Sequence, residues 1–261
     1  MITIKSDREI ELLKIAGSIV YEAHKYIKPF IKPGITTKEL DRLCEKFIRD
    51  NDATPSFKGC EGFPNAVCAS VNDVVVHGIP SNYKLKNGDI ITLDIGACYK
   101  GYHGDSAWTY AVGEISEEDK YLMEHTEKAL YEGIKQATIG NRIGDIGYAV
   151  EQYSLKHNLG VVKEFVGHGV GTSIHEDPYV PNYGSKNSGS LLKKGMVLAI
   201  EPMITYGDEE IEIDSNGLTA VTADGSKAAH YEHTIAITED GPIILTGEWK
   251  NGKEWYDRSW R

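Results

Sequence analysis

The chain has 261 residues, 41% of them hydrophobic, enough to bury a sizeable core in one large domain or two small ones. Its formal net charge of −11 argues against a nucleic-acid backbone as partner, and no apolar run approaches the roughly 20 residues of a membrane span. Cys44, Cys60, Cys68 and Cys98 form no Cys-x-x-Cys pair and the first twenty residues are rich in charge, so the expectation is a reduced cytoplasmic chain without a secretory signal.

Ser6-Asp7-Arg8-Glu9 is a capping-box pattern, and Ile10, Leu13, Gly17 and Val20 then follow a helical period. That helix should stop near Pro29 or soon after, well before Pro33-Gly34. Thr36-Thr37-Lys38-Glu39 starts a second helix, with Leu40, Leu43, Cys44 and Phe47 on one face. Residues 66–110 are β-like, with tight turns at Asn87-Gly88 and around Lys100-Gly101. Ser116-Glu117-Glu118-Asp119 opens a third helix running to about Gln136, a fourth covers about Gly144 to His157, and strands occupy much of 161–240. Helices followed by strands, twice over, predict an α+β fold with two helical layers on one curved antiparallel sheet. The expected organisation is a single domain over 1–261, built as a repeat of about 1–112 and about 116–240 with a short C-terminal tail.

The repeat is visible in two runs. Leu85-Lys86-Asn87-Gly88-Asp89-Ile90-Ile91-Thr92-Leu93-Asp94 aligns without a gap on Leu192-Lys193-Lys194-Gly195-Met196-Val197-Leu198-Ala199-Ile200-Glu201. Leu, Lys, Gly and the terminal acid match. After each acid a second one opens another β-prone stretch, Asp105 before Ser-Ala-Trp-Thr-Tyr and Glu232 before His-Thr-Ile-Ala-Ile. Leu-Lys-x-Gly alone is a common turn into a strand, but acids recurring at both places suggest a duplication, with two halves donating to one site.

Asp94, Asp105, Glu201 and Glu232 each sit in or beside an apolar stretch, where an unpaired charge is costly. Two divalent cations would balance them, and His168 adds a nitrogen suited to a transition metal. Gly96, Gly101 and Gly104 lie between Asp94 and Asp105, and a hairpin there would bring both carboxylates to one face. Two metals about 3.5–4 Å apart, clamped by bridging carboxylates, bind a hydroxide and lower the water pKa from 15.7 towards about 7. Glu201 is the carboxylate expected to take the proton of this water and pass it to a leaving amine. In Gly167-His168-Gly169-Val170-Gly171 the glycines let the backbone bring the imidazole close to a metal.

The other histidines divide by position. His77, ending Val-Val-Val-His, and His175, in Ser-Ile-His-Glu-Asp-Pro, stand open between structural and catalytic roles. His24, His125, His157 and His230 read as ordinary surface or packing residues. His103 and His233 adjoin acids of the set, but strand neighbours face opposite ways, so a supporting role is expected for them.

These stretches together resemble the type I methionine aminopeptidases of the short bacterial form. Matching segments are Val76-His77-Gly78-Ile79-Pro80, Leu93-Asp94-Ile95-Gly96, Gly101-Tyr102-His103-Gly104-Asp105, Gly167-His168-Gly169-Val170-Gly171, Glu201-Pro202-Met203 and Tyr231-Glu232-His233-Thr234, in family order and nearly end to end. The resemblance implies the pita-bread fold, a curved antiparallel sheet flanked by helices in two pseudo-twofold halves. It implies two divalent metal ions (Co, Mn, Fe or Zn), with Asp94 chelating one, Asp105 and Glu232 bridging, and His168 and Glu201 completing the other shell. His77 would contact the scissile amide nitrogen and His175 the carbonyl oxygen. The implied reaction removes the initiator methionine from nascent polypeptides with a small second residue, at the ribosome, by a cytoplasmic monomer that needs no direct nucleic-acid or membrane contact.

One region departs from the family pattern. Type I enzymes carry a Cys and a Tyr before the first of these histidines, a Phe just before the second, and a Trp in a later hairpin. This chain has Phe57, Cys60, Ile174 and Leu218 at those places, while Phe63 and Cys68 fit. Either Phe57 compensates for the lost aromatics, or the pocket is wider and less selective for methionine. Rival readings are an Xaa-Pro peptidase, whose relatives usually carry a large N-terminal domain, and a binding protein that has lost catalysis. Structural calcium fits poorly with a histidine ligand.

Overall fold

The first half runs α1 (Asp7–Ile27), α2 (Thr37–Asp50), then β1 (Thr54–Pro55), β2 (Val67–Val71), β3 (Val74–Val76), β4 (Ile90–Tyr99) and β5 (Tyr102–Ala111). The second opens on α3 (Glu117–Gln136) and α4 (Ile143–Lys156) and continues through β6 (Gly160–Val161), β7 (Gly167–Gly169), β8 (Glu176–Val180), β9 (Val197–Ile200) and β10 (Met203–Thr205). It ends with β11 (Ile211–Ile213), β12 (Ala220–Thr222), β13 (Ala228–His230), β14 (His233–Thr238) and β15 (Gly241–Ile244). This computed structural model describes residues 1–247 and, beyond them, only the strand pair Trp249–Lys250 and Lys253–Glu254; the rest of the expected tail lies outside the described residues. Among the described residues no helix is long and apolar enough to cross a membrane.

Local chemistry starts each helix. Ser6 and Glu9 form the reciprocal box, the Ser6 N–H donating to the Glu9 carboxylate at 2.8 Å and the Glu9 N–H to Ser6 Oγ. Thr36 Oγ1 accepts from Glu39 N at 3.1 Å, and Ser116 Oγ from Asp119 N at 3.0 Å. On α4 the capping position is Arg142, so the Asp145 carboxylate takes over and accepts the Arg142 N–H at 2.7 Å. The first helix stops at Ile27, and Pro29 sits in the 3₁₀ turn Lys28–Phe30 that follows.

The repeated Leu-Lys-x-Gly runs do the same job in each half. Gly88 and Gly195 both adopt positive φ, 92° and 85°. Leu85 N donates to Ile35 O at 2.9 Å and Leu192 N to Asn141 O at 2.8 Å, tying each run to the start of its second helix. The strands that follow then differ. β4 passes through Asp94 to Tyr99, whereas β9 stops at Ile200 because Pro202 lacks an N–H for the ladder.

Every pairing is antiparallel, but the expected single sheet is divided into separate ladders. In the first half β4 pairs with β1, β2 and β5, and in the second the order is β15-β14-β9-β7-β8. Where the halves meet, side chains replace most of the backbone ladder. Thr234 Oγ1 accepts from Asp105 N at 3.1 Å and donates to Asp105 O at 2.7 Å. Reciprocally, Thr109 Oγ1 accepts from His230 N at 3.1 Å and donates to His230 O at 2.9 Å. Midway between these contacts, Glu232 N donates to Ala107 O at 2.8 Å. This is the geometry that two similar halves facing one another would produce. Ile91, Leu93 and Ile95 pack under α1 and α2, and Leu198, Ile200, Ile235 and Ile237 under α3 and α4.

Because Thr234 satisfies both backbone groups of the buried Asp105, Thr234→Val should lower stability by about 1–3 kcal/mol. Urea unfolding of the two proteins should show this as a lower midpoint with an unchanged slope.

Candidate metal centre and substrate pocket

The β4–β5 register places Asp94 opposite Ala107 and Gly96 opposite Asp105, so Asp94 and Asp105 project from one face of the hairpin. The hairpin turns at Lys100-Gly101, both at positive φ. In the second half Ile200 opposes His233, leaving Glu201 and Glu232 just beyond the last rung. Both pairs of acids therefore converge on the junction between the halves. All four side chains are buried, none more than 9% exposed.

His168 arrives on β7, opposite Ala199 of β9. A Cβ on Gly167 would stand 2.3 Å from Ala199 O, and one on Gly169 would stand 2.2 Å from Asp177 O. Only glycine lets this strand lie so close. His168 Nδ1 lies 2.9 Å from Gly169 O, a carbonyl, so Nδ1 carries the proton and Nε2 presents a lone pair inward. Nε2 is 3.3 Å from Glu201 Oε1 and 3.8 Å from Asp105 Oδ2.

Burial pushes these carboxyls up, Asp94 and Glu201 to about 7 and Asp105 and Glu232 well above the carboxylate range; neighbouring carboxylates add to the rise at Asp94, Asp105 and Glu232, while His168 opposes it at Glu201. Asp94 Oδ1, Asp105 Oδ1 and Glu232 Oε1 are buried with no hydrogen-bond partner. Ligand atoms from Asp105, His168 and Glu232 lie within 4.8 Å of one another. Unpartnered oxygens facing a proton-free imidazole nitrogen are a donor set for divalent cations, and the residues present fit such ions.

A cavity of about 360 Å³ opens onto these acids. Besides Asp94, Asp105, His168, Glu201 and Glu232, it is lined by His77, His175, Phe57, Cys60, Phe63, Cys68 and Leu218. Ile174 is buried against Phe57, Phe63 and Cys68 in one apolar cluster, with Cys60 and Leu218 at its edge. Phe57 leans on the hairpin, where a Cβ on Gly96 would stand 3.0 Å from its ring. Asp41 of α2 anchors the segment that links Phe63 to Cys68 of β2, accepting from Ala66 N at 2.9 Å and Val67 N at 3.1 Å.

His77 takes a left-handed φ of 58°, rare for a residue with a side chain, and Thr219 Oγ1 donates to its carbonyl at 3.0 Å. Its ring meets Phe165 edge-on at 5.2 Å, and His175 meets His168 edge-on at 4.5 Å. Desolvation holds both His77 and His175 below the usual imidazole value, with Glu61 opposing at the mouth.

Glu61, Val76, Phe165, Val166 and Tyr179 also line the cavity and were not singled out from sequence. Phe165 and Val166 adjoin the Gly-His-Gly motif, which was the available signal. His230 is buried, as the packing alternative expects, but it stands among the acids. Expected as a surface or packing residue, it is 1% exposed, stands 3.6 Å through Nε2 from Glu201 Oε2, and has no partner for either nitrogen. Its position two residues before Glu232 was the available signal. His103 bonds Ser56 Oγ and His233 bonds Thr246 Oγ1, each at 2.9 Å, while His24 bonds Tyr110 and stacks on Trp108.

The sequence pattern of metallopeptidase family M24 matches residues 11–239. A methionine aminopeptidase from Bacillus subtilis (strain 168) is 53% identical over 246 residues, 94% of this chain and 99% of that one. The solved structure of methionine aminopeptidase from Rickettsia prowazekii superposes with a TM-score of 0.93 at 39% identity, covering 94% of this chain and all of that one. An Xaa-Pro dipeptidase from Bacillus anthracis gives a TM-score of 0.77 at 27% identity, covering 95% of this chain but 63% of that one.

The raised carboxyls give the metal-free protein a signed pH dependence. Between pH ~4 and ~6.5 the depressed histidines oppose them, since those groups bind fewer protons folded than unfolded. Above ~6.5 unfolded histidine is neutral, and the folded chain alone retains carboxyl protons. Stability should therefore fall as pH rises from about 6.5 to 8. Thermal melts of metal-stripped protein should show a falling Tm across that range, and saturating divalent metal should flatten the trend. A metal-free Tm that rises there would contradict the assignment.

Proposed function

The chain belongs to metallopeptidase family M24, and from that premise we propose that it removes the initiator methionine from new polypeptides whose second residue is small. The observation that carries this reading is the single cavity joining a buried acid–imidazole cluster to an apolar recess with two histidines at its mouth. A recess lined by Phe57, Phe63, Cys68 and Leu218, with Ile174 packed in the same apolar cluster, suits an unbranched apolar side chain, and the open mouth leaves the rest of a polypeptide outside. The substrates are N-termini of nascent chains leaving the ribosome, met in the cytoplasm by a monomer.

Two divalent ions, of Co, Mn, Fe or Zn, would be held by Asp94 on one side, by His168 and Glu201 on the other, and by Asp105 and Glu232 between. When bound, such a pair acidifies a water towards neutral pH and polarises the scissile carbonyl. The protein supplies the proton traffic. Glu201, buried beside His168, takes the proton of the attacking water and delivers it to the leaving amine. His77 and His175, both neutral, hold the scissile amide nitrogen and the carbonyl oxygen.

The altered methionine recess works by compensation: Phe57, packed on Gly96, fills space that the lost aromatics leave. A single methylene in such a recess is worth about 1–3 kcal/mol, so the preference survives small changes of shape. Hydrolysis of peptides beginning Met-Gly, norleucine-Gly, Leu-Gly and Ala-Pro by metal-loaded protein tests this. Rapid cleavage of Met-Gly with Leu-Gly at least tenfold slower is expected. Equal rates for Met and Leu would sink compensation, and cleavage of Ala-Pro would favour a proline peptidase. Silence on all four, with metal bound, would favour a binding protein. His175→Ala should lower kcat about 10²–10³-fold with a smaller change in KM, measured on Met-Gly with an unchanged far-ultraviolet spectrum as the folding control.

A further inference from the structure

His230 ends β13, two residues before Glu232, and is 1% exposed. Both its ring nitrogens are buried without a hydrogen-bond partner, and no other histidine among the described residues has both nitrogens in that condition. Leaving such a group unsatisfied costs about 1–3 kcal/mol, so the position calls for a partner that the protein does not supply.

The nearby donors indicate what that partner is. One ligand atom each from Glu201, His230 and Glu232 lie within 4.8 Å of one another, as do those of Asp105, His168 and Glu232. Glu232 belongs to both trios. Glu201 is bracketed, with Oε1 3.3 Å from His168 Nε2 and Oε2 3.6 Å from His230 Nε2. Two donors each ~2.1 Å from one tetrahedral ion stand roughly 3.4 Å apart, so both separations suit a shared metal. A direct imidazole–carboxylate hydrogen bond would be about 2.7–2.9 Å, and the His230 contact is too long for one.

A second argument comes from the junction between the halves. Thr109 braces the backbone of His230 as Thr234 braces that of Asp105, with the Glu232–Ala107 bond midway. The rotation that exchanges these contacts carries Asp105 onto His230 and Ala107 onto Glu232. Asp105 is already one of the converging acids, so its counterpart is aimed at the same centre from the opposite side. His230 does not line the open cavity, and thus approaches from the protein side, away from substrate.

We propose that His230 is a sixth protein donor of the metal centre, its Nε2 binding a divalent ion together with Glu201 and Glu232. The inference rests on the metal-dependent reading above and adds a ligand to it. A second imidazole biases the centre towards zinc, cobalt or nickel and away from manganese, because nitrogen donors suit the later metals.

X-ray absorption on the zinc-loaded wild-type protein tests this without any assay of activity, since multiple scattering counts the imidazoles bound. Two per loaded centre, from His168 and His230, are expected. His230→Gln should drop the count to one and weaken zinc binding at least tenfold, while changing manganese binding less than threefold. One imidazole in the wild type overturns the proposal and leaves the five-residue centre standing, as would a count unaltered by His230→Gln. Failure to take up any zinc, cobalt or manganese would overturn both the ligand and the underlying metal reading. The wild-type count decides even where the variant folds poorly, and hydrolysis of Met-Gly bears only on the catalytic reading.

Discussion

Mutual repulsion among four carboxylates, gathered out of water at the meeting of two half-sheets, is the constraint around which this chain is built. Asp94, Asp105, Glu201 and Glu232 are buried, and three of them keep an oxygen with no protein partner. An apolar interior does not tolerate such a group unless protons or cations neutralise it. The fold holds the acids together by backbone geometry. A ten-rung hairpin carries the first pair, two strands ending side by side carry the second, and two threonines clamp the strands across the junction. Core clusters under the paired helices keep those strands from separating.

That rigidity explains where glycine is required. His168 reaches the acids because Gly167 and Gly169 let β7 lie against Ala199 and Asp177 where any side chain would collide. Gly78, after the strained His77, fits for the same reason, since a Cβ there would stand 2.3 Å from Ala69 O. The backbone at His168 and His77 is thus set by close main-chain contacts, the His168 ring is oriented by its bond to Gly169 O, and the cavity stays open beside them.

Much of this was legible in the chain. Capping boxes, helical periods and turn glycines are local, and they foretold four helices to within a residue or two at most ends. The gapless match of the two Leu-Lys-x-Gly runs foretold the duplicated turn and strand, because each run has the same task against its helix. What stayed hidden depends on contacts distant in sequence. The single expected sheet is divided because Pro202 ends one ladder and threonine side chains take over at the junction, which no periodicity reveals. His230 was grouped with the surface and packing histidines because what a lone histidine in a short apolar strand faces is set by contacts distant in sequence. Reading Asp105 as the counterpart of Glu232 was also two residues out of step, since the bracing threonines pair Asp105 with His230 instead.

That displacement carries a physical lesson about how a repeated half becomes a site. Strict repetition would leave Ala107 and Glu232 alike, and Asp105 and His230 alike. An acid at all four places would crowd the junction with buried negative charge. An alanine at one place and an imidazole at another keep the converging donors while capping the charge at four. The same asymmetry gives the centre two faces. The one bearing Asp94, Asp105 and His168 opens to the cavity with His77 and His175, and the one holding His230 is closed by packing. A cavity open on one side of buried acids that packing seals on the other is an arrangement exact symmetry could not provide.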